Sequence, residues 1–129
     1  MFSKNRVEAI SDGVIAIVIT LMILNIKTPQ INGSDTWILL SIQVVSYAIS
    51  FLVIAVVWVN HHHLISSSPN ITAKICWANF LLLFSLSLIP LPTQSIGEDF
   101  LNPEYHSFYG LTLAFTSVSY SLLHQLIRN

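Results

Sequence analysis

The chain has 129 residues, of which 53% are apolar and only 9% charged, with a formal net charge of −1. A soluble domain usually carries about 25% charged residues, so this composition excludes a soluble enzyme and a disordered chain, and the lack of a basic surplus excludes a nucleic-acid binder. The single cysteine, Cys76, excludes an internal disulfide and a cysteine-rich metal site, which leaves an integral membrane protein.

Four apolar stretches approach the roughly 20 residues that a membrane helix needs. They predict an all-α polytopic membrane protein, because continuous apolar runs do not fit the alternating strands of a β-barrel. We treat residues 1–129 as one helical domain, in which Pro90 and Pro92 end the third span and residues 27–35 form a turn. The predicted spans are approximately residues 9–26, 36–59, 75–91 and 107–127.

The distribution of Lys and Arg predicts the orientation in the membrane. Counting spans alternately, one face of the membrane receives four of these residues and the other receives only Lys27. The more basic face is usually cytoplasmic, so we expect a multi-pass protein with both termini in the cytoplasm. The four residues are Lys4, Arg6, Lys74 and Arg128.

The first span has one smooth aliphatic stripe. At 100° per residue, Ile17, Leu21 and Leu24 align along the helix, with Thr20 beside them. Ser11 and Asp12 point away from this stripe. From the residues alone, two interpretations stay open. The stripe contacts lipid, as is commonest for an isolated span, or it has a role other than lipid contact. Asp12, likewise, either complements the helix dipole in the first turn or pairs with another helix.

The start of this span resembles a known family signature. The run Arg6-Val-Glu-Ala-Ile-Ser-Asp12 is similar to the RxxxFSD signature of the transmembrane protein 175 family, with Ile10 in place of the usual Phe. Trp58-Val-Asn60-His61-His62 resembles the end of that family's second helix. Further pieces, in the same order, resemble its third and fourth helices: Asn79-Phe-Leu-Leu-Leu-Phe, Ser87-Leu-Ile-Pro90-Leu-Pro92-Thr93 and Phe108-Tyr109-Gly110-Leu111.

The resemblance implies a potassium channel of endolysosomes or of prokaryotes, in which four subunits surround one pore and the first helix of each lines it. It implies a cell-membrane homotetramer, with potassium as the permeant ion, no cofactor and no enzymatic activity. Family subunits have six membrane helices and this chain has room for four, so a shortened member, a split gene and a truncated copy all remain open.

The resemblance also assigns roles to individual residues. Ile17, Leu21 and Leu24 would form the apolar constriction, and Thr20 would offer a hydroxyl to a passing ion. The polar residues of the signature would brace the first helix against its neighbours. The bracing network would comprise Arg6, Ser11, Asp12, Trp58, Asn60, His61 and Asn79.

Several alternatives accompany this assignment. Trp58 is either a bracing residue or an interfacial anchor, whereas Trp37 and Trp77 are expected to be anchors. The run from His61 to His63 is not expected to bind a metal ion, because adjacent residues on a helix do not share one face. The rival functions are a non-conducting helical membrane subunit and a proton-coupled transporter component that uses Asp12 and His61.

Overall fold

The computed structural model describes residues 2–27 and 34–129, and the side chain of Ser34 is not described. Within these residues the chain forms five α-helices, and the only extended pairing is an isolated antiparallel bridge between Phe2 and Ile71. The predicted all-α fold is confirmed. The helices are α1 (Lys4–Leu24), α2 (Ser34–Ser67), α3 (Ala73–Leu88), α4 (Pro90–Glu98) and α5 (Pro103–Arg128).

Three helical segments of the described chain are long and apolar enough to cross a membrane: Lys4–Leu24, Asp35–Ser67 and Ala73–Glu98. The fourth predicted span corresponds to α5, whose 26 residues extend about 39 Å. Helix α5 is not among the three apolar segments, because it includes more polar side chains. Hydroxyls of α5 donate back to its own carbonyls, as Thr112 does to Phe108 and Thr116 to Thr112, at 2.9 and 3.0 Å. Such bonding leaves few polar groups unsatisfied and suits a helix in lipid.

Pro90 does not end the third span, contrary to the sequence prediction. The chain turns at Ile89, which keeps helical backbone angles (φ −59°, ψ −39°), and Pro90 becomes the first residue of α4. A proline at that position loses no helical hydrogen bond, since the first amide groups of a helix have no partner. The result is one interrupted span of 26 residues from Ala73 to Glu98.

The second helix is longer than predicted. It continues from Val59 to Ser67, so α2 has 34 residues and a length of about 51 Å, well beyond the roughly 30 Å of the hydrocarbon core. Its last two turns contain the three histidines, and the connection to α3 shortens to residues 68–72. Part of the predicted turn at residues 27–35 lies outside the described residues.

Helix α3 occupies the centre of the bundle. It packs against α1 and α5, while α2 packs against α1 and α4. Helix α1 faces this core with one stripe of side chains spaced three or four apart, as an α-helix requires. The residues of this stripe are Val7, Ser11, Ile15, Val18 and Met22, all of them buried.

The two ends of the bundle carry opposite charge. At one end Phe2 pairs with Ile71 and Lys4 Nζ donates to the Ser66 carbonyl at 2.6 Å, which brings together the start of α1, the end of α2 and the start of α3. At the other end Lys27 lies 3.3 Å from Glu98. The end of α5 lies at the first of these ends, since Leu126 and Lys74 line one groove. The four residues of the predicted basic face therefore belong to one end, and Lys27 belongs to the other.

Candidate functional site

Three buried polar side chains connect α1, α2 and α3. Asn79 of α3 lies between the other two: its Nδ2 donates to Ser11 Oγ at 2.9 Å, and its Oδ1 lies 2.6 Å from His61 Nε2. Each of the three is at most 1% exposed. Buried polar groups are costly unless they are hydrogen-bonded, so this chain of contacts fixes the three helices relative to one another.

The chemistry of the partners determines the direction of each bond. Ser11 Oγ donates to the Val7 carbonyl at 2.7 Å, because a carbonyl can only accept. Ser11 must then accept from Asn79, which places the amide NH2 on that side and the amide oxygen toward His61. His61 therefore donates from Nε2, and a single tautomer of the ring suits the network.

Asp12 and Trp58 form a second link between α1 and α2. Trp58 Nε1 donates to Asp12 Oδ1 at 2.8 Å, and the Trp58 ring stacks on His62 with 5.6 Å between centroids. Both residues remain exposed in the isolated chain. Trp58 is thus bonded to α1 through its indole N–H, whereas Trp37 and Trp77 are exposed at opposite ends of the bundle.

Two members of the expected network take no part in it within the chain. The Arg6 side chain is exposed and makes no ion pair or hydrogen bond with any described residue. Asn60 contributes its backbone carbonyl, which accepts from Tyr120 Oη at 3.3 Å, while its side chain is exposed. Because Arg6 and Asn60 lie near the basic end of α1 and α2, they are free to contact groups beyond this chain.

The aliphatic stripe of α1 is left uncovered. Ile17, Leu21 and Leu24 are 58%, 49% and 75% exposed, on the side of the helix away from the buried stripe. Gly13 belongs to the same exposed side, and no atom lies within 4 Å of the place where its Cβ would be. The polar network and the aliphatic stripe therefore occupy different faces of one helix.

Thr20 lies beside this stripe with its hydroxyl hydrogen already used. Its Oγ1 donates to the Ala16 carbonyl at 2.9 Å and also lies 3.1 Å from the Ile17 carbonyl. The lone pairs of the oxygen remain available, since a hydroxyl accepts as well as donates. The side chain is exposed, so this oxygen is accessible to a cation that lies next to the stripe.

A second buried polar cluster was missed by the sequence analysis. Ser50 Oγ lies 2.6 Å from Thr93 Oγ1 and 2.8 Å from Tyr109 Oη, which joins α2, α4 and α5. Thr93 also donates to the Ile89 carbonyl at 2.7 Å, across the break between α3 and α4. A hydroxyl in a membrane helix most often bonds only its own backbone, so Ser50 alone did not indicate a cluster. The one indication in the sequence is that Thr93 and Tyr109 lie in segments that resemble the family.

The histidines of α2 have different surroundings. His61 points into the bundle, His62 stacks on Trp58, and His63 is exposed and in edge contact with His62. Within residues 2–27 and 34–129, no group of three His, Cys, Asp or Glu side chains is arranged to hold a metal ion.

Comparison with known proteins agrees with the resemblance seen in the sequence. Residues 6–90 match the family described as the endosomal/lysosomal potassium channel TMEM175. A potassium channel of Chryseobacterium sp. (strain P1-3) is 39% identical over 97% of this chain and 65% of its own length. A potassium channel of Streptomyces collinus is 43% identical over 76% of this chain and 50% of its own length. The chain therefore spans between half and two thirds of these relatives.

The fold has a counterpart among solved structures. The crystal structure of a lysosomal potassium-selective channel TMEM175 homolog from Chamaesiphon minutus matches with a TM-score of 0.78 and 36% identity, over 92% of this chain and 69% of that one. The family match covers more than half of the chain, and the apolar helices agree with a protein of the membrane. This chain belongs to the TMEM175 family.

Proposed function

We propose that this chain is a subunit of a potassium-selective channel, in which four copies place α1 around a central pore. Its relatives are named potassium channels, and the matching crystal structure is of a homolog of a potassium-selective channel. The proposed assembly is a homotetramer in the cell membrane, with both termini in the cytoplasm on account of the basic end of the bundle.

The division of α1 into two faces is the observation that carries the proposal. One face is buried and is tied to α3 by the Asn79–Ser11 hydrogen bond. The other face is exposed and presents Ile17, Leu21 and Leu24 in register. A helix that is anchored by one side offers its other side at a defined orientation, which is what a pore-lining helix needs.

We propose that Ile17 forms the narrowest ring, with Leu21 and Leu24 as further apolar layers. A ring of four aliphatic side chains narrows the lumen and removes water from it, which raises a barrier to hydrated ions. Potassium gives up its hydration water more readily than sodium does, so such a ring favours potassium. Thr20, whose oxygen lone pairs are available, lies one turn from the ring and would ease the passage of a partly dehydrated ion.

The same geometry disfavours a proton-coupled transporter. In the described part of the chain, Asp12 bonds Trp58 and His61 bonds Asn79, and no hydrogen bond links Asp12 with His61. A relay between these two groups would need such a link or a chain of water. A non-conducting subunit, by contrast, would leave the α1 stripe against lipid, and the following experiment separates it from a channel.

The test is the substitution Ile17→Asn, measured by potassium and sodium flux into vesicles containing the purified chain. On a pore axis the amide wets the ring, so flux rises and the preference for potassium over sodium falls. The matched control is Val118→Asn on α5, a site 67% exposed and separated from α1 by α3. An unpaired amide in lipid is costly, so the control lowers yield and leaves selectivity unchanged. Unaltered selectivity in a well-assembled Ile17→Asn protein would place the filter elsewhere.

A further inference from the structure

An apolar groove runs between α3 and α5 at the basic end of the bundle. Its volume is 430 Å³, and its walls include Trp77 and Leu81 of α3 and Leu122 and Leu126 of α5. Trp77 is 72% exposed, and the walls are otherwise aliphatic. The groove lies on the opposite side of α3 from α1, so it takes no part in the proposed pore.

A lysine lines the groove at the basic end of the bundle. Lys74, in the first turn of α3, is one of the lining residues and is exposed. None of the carboxylates in the described chain lies within ion-pairing distance of Lys74. The ion pair of the described chain, Lys27–Glu98, lies at the other end of the bundle. Arg128 follows Leu126 by two residues in the last turn of α5, which adds a second positive charge near the same groove.

We propose that this groove binds one acyl chain of an anionic phospholipid, with the phosphate of the headgroup at Lys74. Leu81 lies seven positions after Lys74, a rise of about 10 Å along α3, which is most of the roughly 15 Å depth of one leaflet. Basic pockets between membrane helices on the cytoplasmic side are suited to acidic headgroups, and the indole of Trp77 lies at the level where aromatic residues meet the headgroup region.

Charge distinguishes this groove from the larger apolar groove of the chain. That groove, 610 Å³ between α2, α4 and α5, has no Lys or Arg among its lining residues and so offers no permanent positive charge to an acidic headgroup. Charge also argues against a dimer in which the α3–α5 grooves of two copies face each other. In such a dimer, Lys74 and Arg128 of one copy would lie close to the same residues of the other. Like charges brought together without counter-ions repel. The occupant that complements both the apolar walls and the cation is an acidic lipid.

Quenching of Trp77 fluorescence by brominated lipids tests this proposal. The chain, with Trp37→Phe to remove an exposed indole, is reconstituted in vesicles of phosphatidylcholine and phosphatidylglycerol at four to one, with bromine on either lipid. We expect brominated phosphatidylglycerol to quench Trp77 by more than its one-fifth share of the lipid. Adding Trp77→Phe should abolish the excess and leave only the signal of Trp58.

Charge-matched variants identify the headgroup contact. Lys74→Gln should lower the relative affinity for phosphatidylglycerol about fivefold, whereas Lys27→Gln, which removes the same charge at the other end, should leave it unchanged. Quenching in proportion to bulk composition would overturn the proposal. Protection of Trp77 from both brominated lipids would also overturn it, because a protein surface would then cover the groove.

Discussion

Asn79 uses one amide group to join three helices. Its NH2 donates to Ser11 of α1, and its oxygen accepts from His61 of α2. Removing the amide leaves two buried polar groups without their partner, which is more costly than the loss of one bond between exposed groups. The residue is therefore more important for the orientation of α1 than its position away from the proposed pore implies.

We expect Asn79→Ala to lower the free energy of unfolding by about 1–3 kcal/mol and to reduce the fraction of oligomer. The measurement is thermal unfolding in detergent, followed by size-exclusion chromatography of the same samples. The control is Asn70→Ala, which removes the same amide from an exposed position in the connection between α2 and α3 and should change neither quantity. Equal stability of the two variants would contradict a bracing role for Asn79.

The members of this network could be predicted from the sequence, but their pairing could not. The resemblance grouped Ser11, His61 and Asn79, because signature residues recur at fixed places along the family's helices. Which atom bonds which depends on the rotation and depth of three helices, and no local pattern encodes these. Arg6 shows the same limit: its place in the signature predicted a partner, whereas its side chain extends away from the described chain.

Close contact between α2 and α4 depends on a glycine. A Cβ at Gly97 would lie 3.1 Å from Gln43 Cγ and 3.4 Å from Gln43 Cα. Gln43 in turn accepts from the amide of Lys27 and donates to its carbonyl, each at 2.9 Å. The glycine thus allows the side chain of Gln43 to hold the residues that follow α1. Small residues serve this purpose at many membrane helix contacts.

Gly97→Leu should separate α4 from α2 and lower stability by about 1–3 kcal/mol, the usual range for an overpacked contact. Gly110→Leu is the matched control on α5, because no atom lies within 4 Å of its Cβ position. Unfolding in detergent measures both. If the two variants lose the same stability, helix propensity or lipid contact, and not the crossing of α2 and α4, is responsible.

At the scale of the elements, the sequence located the helices well and their ends poorly. The lengths of the apolar runs identified four spans. They could not show that α2 continues to Ser67, because the last turns of α2 contain polar histidines and extend beyond the apolar run. The prediction that Pro90 ends the third span is wrong, because a proline that opens a new helix has the same sequence signature as one that ends the old helix. The cluster of Ser50, Thr93 and Tyr109 was missed because three separate helices contribute one hydroxyl each.

The whole molecule has a basic end and an acidic end. Lys4, Lys74 and Arg128 belong to the first, and the connection between α4 and α5, which includes Asp99, belongs to the second. The Lys27–Glu98 pair is exposed and adds little stability, so its place at the acidic end matters more for orientation than for folding. The asymmetry predicts that the basic end faces the cytoplasm.

Cysteine labelling in intact cells should reveal this orientation. Leu101→Cys lies in the exposed connection between α4 and α5 and should react with a membrane-impermeant thiol reagent added from outside. Asn129→Cys should react only after the membrane is opened. The native Cys76 is buried, which keeps the background low. Labelling of Asn129→Cys in sealed cells would reverse the assigned topology.

Cadmium block of a cysteine at Ile17 tests whether α1 lines a potassium pore. Four thiolates around one axis form a soft site that suits Cd²⁺, so micromolar Cd²⁺ should stop potassium flux through Ile17→Cys vesicles and a chelator should restore it. Flux through the unsubstituted chain and through Val118→Cys, on the outer side of α5, should continue. An Ile17→Cys protein that conducts potassium equally with and without Cd²⁺, or a chain that carries no potassium flux at all, would contradict a potassium pore lined by α1.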